Sequence, residues 1–142
     1  MNVSTRFTVA LHVLTLLASS PKRALTSEYI AGSVNTNPVV VRRLLGFLRR
    51  VGMVASQPGS GGGWELSANP EKLTLRDVRR AIEEGSPFSM HSQQPNPRCP
   101  VGKNIQQALS PIYEEAERTL EKELAHTTIA SLLRSVEKRA ER

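Results

Sequence analysis

Apolar residues along this chain recur mostly every three or four positions, and in one stretch they alternate. From Ser4, read as an N-cap, Phe7, Ala10, Leu11, Leu14, Leu17 and Ala18 keep helical spacing up to Pro21, which ends the run. Val9, Val13 and Leu16 widen that stripe, so the first helix is expected to be mostly buried. A second helix is predicted over TSEYIAGSV. Thr26 is its cap, Glu28 stands in the first turn where the helix dipole favours an acid, and Leu25 and Ile30 take the two staple positions around the cap. Gly32 lies near its end, and Val34, Asn35 and Thr36 make a short turn. The third helix opens on Asn37 as cap and Pro38 as first helical residue, and Gly52 stops it.

That third helix has two faces. Val41, Leu44, Leu45, Leu48 and Val51 fall on one side of the wheel, and Val39, Arg42, Arg43, Gly46, Arg49 and Arg50 on the other. The apolar side is expected to be core. The opposite stripe is basic along its length, with a glycine at its centre that leaves room for a partner's backbone. Two helices joined by a tight turn, the second basic outside, predict a helix-turn-helix. Alternation takes over next, in residues 53–57 and 64–66, with a glycine-rich stretch between them: a hairpin. A hairpin directly after such a helix is the wing of a winged-helix domain.

Helical spacing returns in LTLRDVRRAIEEG. Thr74 caps it, Asp77 sits at the reciprocal capping-box position, Gly85 closes it, and Leu75, Val78, Ala81 and Ile82 form its stripe. Residues 86–100 read as a loop rich in Pro, Ser, Gln and Asn. In the tail, Ile105, Leu109, Ile112, Ala116, Leu120 and Leu124 keep one face apolar. Ser110 and Pro111 are either a kink or the true start of this long helix. Thr127 or Thr128 caps a last helix bearing Ile129, Leu132, Leu133 and Val136. The chain is therefore expected to be mainly α with a small β-hairpin. Residues 1–85 form a winged helix-turn-helix domain, 86–100 a loop and 101–142 C-terminal dimerisation helices. The long stripe either packs on its own domain or, as expected here, on a partner subunit through Ile105, Leu109, Ile112, Ala116 and Leu120.

Composition sharpens this picture. The chain has 142 residues, 39% of them hydrophobic, and a net charge of +6. Before residue 65 the basic residues Arg6, Lys22, Arg23, Arg42, Arg43, Arg49 and Arg50 face a single acid, Glu28, whereas the remainder is balanced. A basic front half points to a polyanion. Cys99 is the only cysteine, which excludes an internal disulfide and suits a reducing cytoplasm. The apolar run after Arg6 is too short to span a bilayer, so no membrane association is expected.

The block SQPGSGGGWELSANPEKLTLRDVRRAIEE, together with NPVVVRRLLGFLRRVGMV and CPVGKNIQQAL, resembles the Rrf2 family of bacterial transcription regulators over nearly the whole chain. The family includes iron–sulfur, nitric-oxide and cysteine-metabolism regulators, and its YwnA-like branch is the most similar. The resemblance implies a winged-helix domain with a long dimerisation helix, the third helix in the major groove of double-stranded DNA and the wing at the minor groove or backbone. It also implies, in many members, three sensing cysteines before the long helix. This chain keeps only Cys99, at the last of those positions, so no iron–sulfur cluster or other cofactor is expected. It also has Pro58 where some relatives carry a wing arginine.

The candidate DNA-binding residues follow. Arginine suits phosphate and the O6/N7 edge of guanine, and valine methyls suit thymine methyls. Asn37, Val39, Val40, Arg42 and Arg43, near the helix start, are expected to read bases. Arg49 and Arg50, further along, are expected to hold phosphate, and Ser56, Gln57 and Ser60 are wing candidates. GSGGG lacks the Lys-Ser or Lys-Thr and the helix of a nucleotide loop. Cys99, between Arg98 and Pro100 with Lys103 near, is a candidate redox sensor or an inert thiol. His91 and His12 are read as a loop residue and a satisfied structural histidine, and Trp64 as a core anchor for the wing. Asp77, the only aspartate, is engaged in capping, so paired-carboxylate catalysis has little support and no metal site is expected. The function expected is a non-enzymatic, cytoplasmic, homodimeric transcription regulator, a repressor on a palindromic operator with an unidentified effector. The alternative is a thiol-based sensor or enzyme centred on Cys99.

Overall fold

A computed structural model describes residues 3–82 and 86–142, with the side chains of residues 3 and 4 left aside. The elements run α1 (Val3–Ala18), α2 (Ser27–Val34), α3 (Pro38–Arg50), β1 (Val54–Gln57), β2 (Gly63–Leu66), α4 (Leu75–Ile82), α5 (Pro100–Ala125) and α6 (Ile129–Ala140). The molecule is mainly helical with one antiparallel hairpin, as the pattern predicts. Ser4 lies inside α1 rather than before it. Gly85, expected to close α4, lies outside the described residues.

Helix α1 runs through the centre. Its Ala10, Val13, Leu14 and Leu17 meet Ile30 of α2, Val41, Leu44, Leu45 and Leu48 of α3, Val78 and Ile82 of α4, and Ile129 of α6 in one core. Each such side chain contributes about 1.5–3 kcal/mol on burial. Local signals fix the elements around it. Thr26 accepts from the Tyr29 backbone N–H, with Leu25 and Ile30 buried on either side as a staple. Asn35 takes a left-handed conformation (φ 64°) and lets the chain turn into α3. Thr74 and Asp77 cap α4 reciprocally, at 3.1 and 3.0 Å. One placement differs from the wheel: Val51 is 43% exposed and caps α3, while Met53 turns into the core in its stead.

The hairpin pairs Val54 with Leu66 and Gln57 with Gly63. A third segment joins it. Leu25 and Trp64 exchange backbone hydrogen bonds of 2.9 and 2.7 Å, which tie the wing to the start of α2. Gly63 is required there. A Cβ would stand 2.5 Å from the Leu25 carbonyl oxygen, and φ is +146°. Trp64 anchors the wing as expected: it packs against the core and its Nε1 donates to Ser27 Oγ at 3.2 Å.

The tail does two things. Helix α6 lies along α1, and its fully buried Ile129 completes the core. The backbone clasps it: Leu75 N–H donates to Thr127 O, Ile129 N–H to Leu73 O and Ala130 N–H to Pro70 O, all at 2.8–2.9 Å. Thr128 is the cap, boxed by Ser131. Helix α5, by contrast, has no buried residue. It begins at Pro100 and runs through Pro111 without interruption, so Ser110 and Pro111 do not start it. Glu121 joins it to α4 by accepting from Arg79 at 3.1 Å and Arg80 at 2.8 Å, and Phe88 stacks on Tyr113 at 4.9 Å. Along its stripe Ile105, Leu109, Ala116 and Leu120 are partly buried, while Val101 and Ile112 stand 68% and 61% exposed.

Candidate nucleic-acid interface

The outward side of α3 is open. Val39, Arg42, Arg43, Arg49 and Arg50 are exposed and Val40 is partly so. A Cβ on Gly46 would meet nothing within 4 Å, so the centre of the stripe is free for a close approach. Local residues hold this face from both ends. At the start, Asn37 Oδ1 accepts from the Val39 N–H at 2.8 Å, which leaves its amide NH2 for other contacts. At the finish, Gly52 (φ +82°) forms a Schellman turn. Its N–H donates to Arg49 O and the Met53 N–H to Leu48 O. Burying Met53 beside Leu48 then sets the angle at which the wing leaves.

The four arginines are not equivalent. Arg42 Nη2 donates to Glu28 Oε1 at 3.0 Å, across from α3 to α2. A backbone hydrogen bond and then the Arg42 guanidinium hold the Glu28 carboxyl below the ordinary glutamate value. Arg49 Nη1 donates to Ser56 Oγ at 3.3 Å and its guanidinium lies 5.8 Å from the Trp64 ring centre, so it bridges α3 and the wing. Arg50 lies over Phe47 at 5.8 Å. Arg43 has no side-chain partner among the described residues; with Arg6, Val40 and Leu44 it lines a cleft of about 320 Å³. Ser56, Gln57, Pro58 and Ser60 are exposed along the wing, whose tip turns on Gly59 (φ +90°) and Gly61 (φ +75°).

Two residues join this surface that periodicity alone does not place there. Arg6 stands over Phe47 at 4.7 Å, next to Arg43. Only the packing of α1 on α3 reveals it; thirty-seven positions separate Arg6 and Arg43 in the chain. Glu28, expected as a helix-dipole residue, also pairs with Arg42. The remaining candidates scatter. His12 Nε2 bonds Ser33 Oγ at 2.9 Å, so it is satisfied, though exposed. His91 pairs with Gln106 at 3.4 Å. Cys99 is exposed at the cap position of α5.

A tri-helical head with a basic recognition helix and an adjoining wing defines a winged helix-turn-helix protein of the DNA-binding regulator class. The comparisons narrow that class: the chain belongs to the Rrf2 family, described as iron-dependent transcriptional regulators, whose model matches residues 3–135. It is 38% identical over 131 residues to a protein carrying the name HTH-type transcriptional regulator YwnA, from Bacillus subtilis (strain 168), covering 92% of this chain and 96% of that one. Two solved structures share the fold. T. potens IscR superposes with a TM-score of 0.74 at 21% identity, over 98% of this chain and 90% of that one. CymR, the global cysteine regulator of B. subtilis, does so with 0.69 at 23%, over 95% and 98%.

The family description raises iron, and the donor set of one chain does not fit a cluster held by three thiolates. Cys99 is the sole thiol, and among the described residues no three His, Cys, Asp or Glu side chains come together as metal ligands. No described helix is long and apolar enough to cross a membrane.

Proposed function

We propose that this protein is a sequence-specific transcription repressor that binds a palindromic operator as a homodimer in the cytoplasm, without an iron–sulfur cluster. One observation carries the reading: the basic outward face of α3 lies open beside the wing, with Gly46 clear at its centre. Arg43, with no side-chain partner among the described residues, is suited to a guanine edge, as is Arg42 on the same turn. Val39 is 47% exposed and offers methyls to thymine. Arg49 and Arg50 hold phosphates, and Ser56, Gln57 and Ser60 touch the backbone beside the wing. Pairing through the apolar stripe of α5, with Ile105, Leu109, Ile112, Ala116 and Leu120 as its seam, supplies the twofold axis that a palindrome requires.

Selection of bound duplexes from a random pool tests this. The expected result is a palindromic consensus with half-sites about one helical turn apart, bound by a species of twice the chain mass. Retention of every sequence alike, or binding by a monomer at one half-site, refutes the corresponding part.

A further inference from the structure

Glu28 is the only acid among the first 64 residues, yet it stands at the basic face of α3. The phosphates of any duplex repel a carboxylate there, so its position needs a reason. Folding does not supply one: its side chain is 67% exposed, and an exposed ion pair adds little stability. The dipole of α2 favours an acid in the first turn, but it does not explain the reach across to α3, where Arg42 Nη2 donates to Glu28 Oε1 at 3.0 Å. The carboxylate is itself steadied by a hydrogen bond from its own backbone N–H.

The pair sets Arg42 apart. Among the described residues it is the one arginine of the α3 stripe in an ion pair. Arg43 has no side-chain partner, Arg49 leans on a neutral hydroxyl and Arg50 on an aromatic ring, so these three keep their charge for phosphate. For Arg42, leaving Glu28 for a phosphate exchanges one anion for another and gains little. Its Nε and Nη1 donors stay available for a base edge, and a guanidinium already fixed loses less freedom on meeting one. We propose that Glu28 is a positioning residue that determines specificity: it holds Arg42 for a base edge and withholds it from the phosphate backbone, lowering affinity for unrelated DNA more than for the operator. The base-edge half rests on the operator reading; the withholding of Arg42 from a polyanion does not.

The full chain carrying Glu28→Gln, Arg42→Ala or both is titrated with a selected duplex and a scrambled one over a salt series. Glu28→Gln is expected to tighten the scrambled duplex about fivefold near roughly 0.1 M salt. It should also steepen the slope of log K against log salt by about 0.9, one further phosphate neutralised. The selected duplex is expected to change by less than about twofold, so preference between the two falls. In the Arg42→Ala background the gain is expected to shrink to within about 1.5-fold, because Glu28 acts through Arg42. A gain that persists without Arg42 makes Glu28 a simple repelling charge and overturns the proposal. So do equal gains on both duplexes. Glu28→Ala, which also removes the hydrogen-bond acceptor, is expected to release Arg42 at least as far, and no gain in either variant overturns the proposal. Retention on heparin, a polyanion without base sequence, separates this result from the operator reading. Glu28→Gln is expected to need more salt for elution than the unaltered chain, again only where Arg42 is present. An unaltered chain that binds both duplexes alike removes the operator reading and the base-edge half with it, while the heparin shift still decides whether Glu28 withholds Arg42.

Discussion

Replacing Arg43 with alanine isolates base reading better than any other change on α3. Arg42 is engaged by Glu28 at 3.0 Å and Arg49 by Ser56 and Trp64, so truncating either also disturbs the protein itself. Arg43 has no such partner among the described residues and is exposed. Its loss should change folding stability by less than about 0.5 kcal/mol. On DNA it removes a guanidinium able to bond guanine O6 and N7 together, about 1–3 kcal/mol, or roughly 5- to 150-fold in Kd. The assay is fluorescence anisotropy on a selected duplex and a scrambled one, over a salt series. Arg43→Ala should lose that factor on the selected duplex and far less on the scrambled one. Arg49→Ala should weaken both alike and reduce the slope of log K against log salt by about 0.9 for each phosphate it no longer neutralises. Equal losses from Arg43→Ala on both duplexes would refute base reading at this position.

Ile129→Ala should destabilise the whole fold by about 2–5 kcal/mol in urea, because the side chain is fully buried in the common core; an α6 that melts separately while the head keeps its midpoint contradicts this. Gly63→Ala should cost about 2 kcal/mol or more and Gly52→Ala about 1 kcal/mol, since both have positive φ but only Gly63 has a backbone oxygen in the way, 2.5 Å from the added Cβ. Equal costs in thermal melts would remove the Leu25 carbonyl from the explanation. The Glu28 carboxyl, followed by NMR, should titrate below the ordinary glutamate value and move up in Arg42→Ala. The depressed value means the pair's contribution is present above the ordinary carboxylate pKa and fades as pH falls through the lowered one; being exposed, the contribution is small. A midpoint indifferent to Arg42 refutes the pairing.

How much of this was legible in the residues depended on the range of the forces involved. Caps and turns are local, so Thr26, Asn37, Gly52, and Thr74 with Asp77 could be placed from their neighbours alone, and the last cap narrowed to Thr127 or Thr128, of which Thr128 is the one used. The two faces of α3 follow from periodicity, and both appear where the wheel puts them, apart from Val51. That residue fails because the wheel has no knowledge of the Schellman turn, which takes the chain out of helix at Val51 and hands the core position to Met53. Pro111 had two readings, a kink or the start of the long helix, and only the second fails: an exposed helix tolerates one missing backbone bond at its surface, so a proline there need not mark a start. Non-local pairings left no trace in any window. The Leu25–Trp64 bridge, Arg6 beside Arg43, and the clasp of residues 70–75 on 127–130 each join segments that only the packed core brings together.

The clasp changes what the tail can do for the reading head. Read as sequence, residues 101–142 look like an appendage that serves pairing alone. In the structure α6 is part of the head's core, and α5 is anchored at its C-terminal end by two contacts: Glu121 on the arginines of α4, and the following turn, where Leu75 N–H donates to Thr127 O and Ile129 N–H to Leu73 O. Glu121 carries most of the first constraint, because Arg79 is nearly buried and a buried charge tolerates little change of geometry. Helix α5 is thus an arm set at a defined angle to α3. Its 26 residues span about 39 Å, close to the roughly 34–36 Å that separates successive half-sites on one face of a duplex. Two such arms joined along their apolar stripes would transmit the position of one recognition helix to the other as a rigid body.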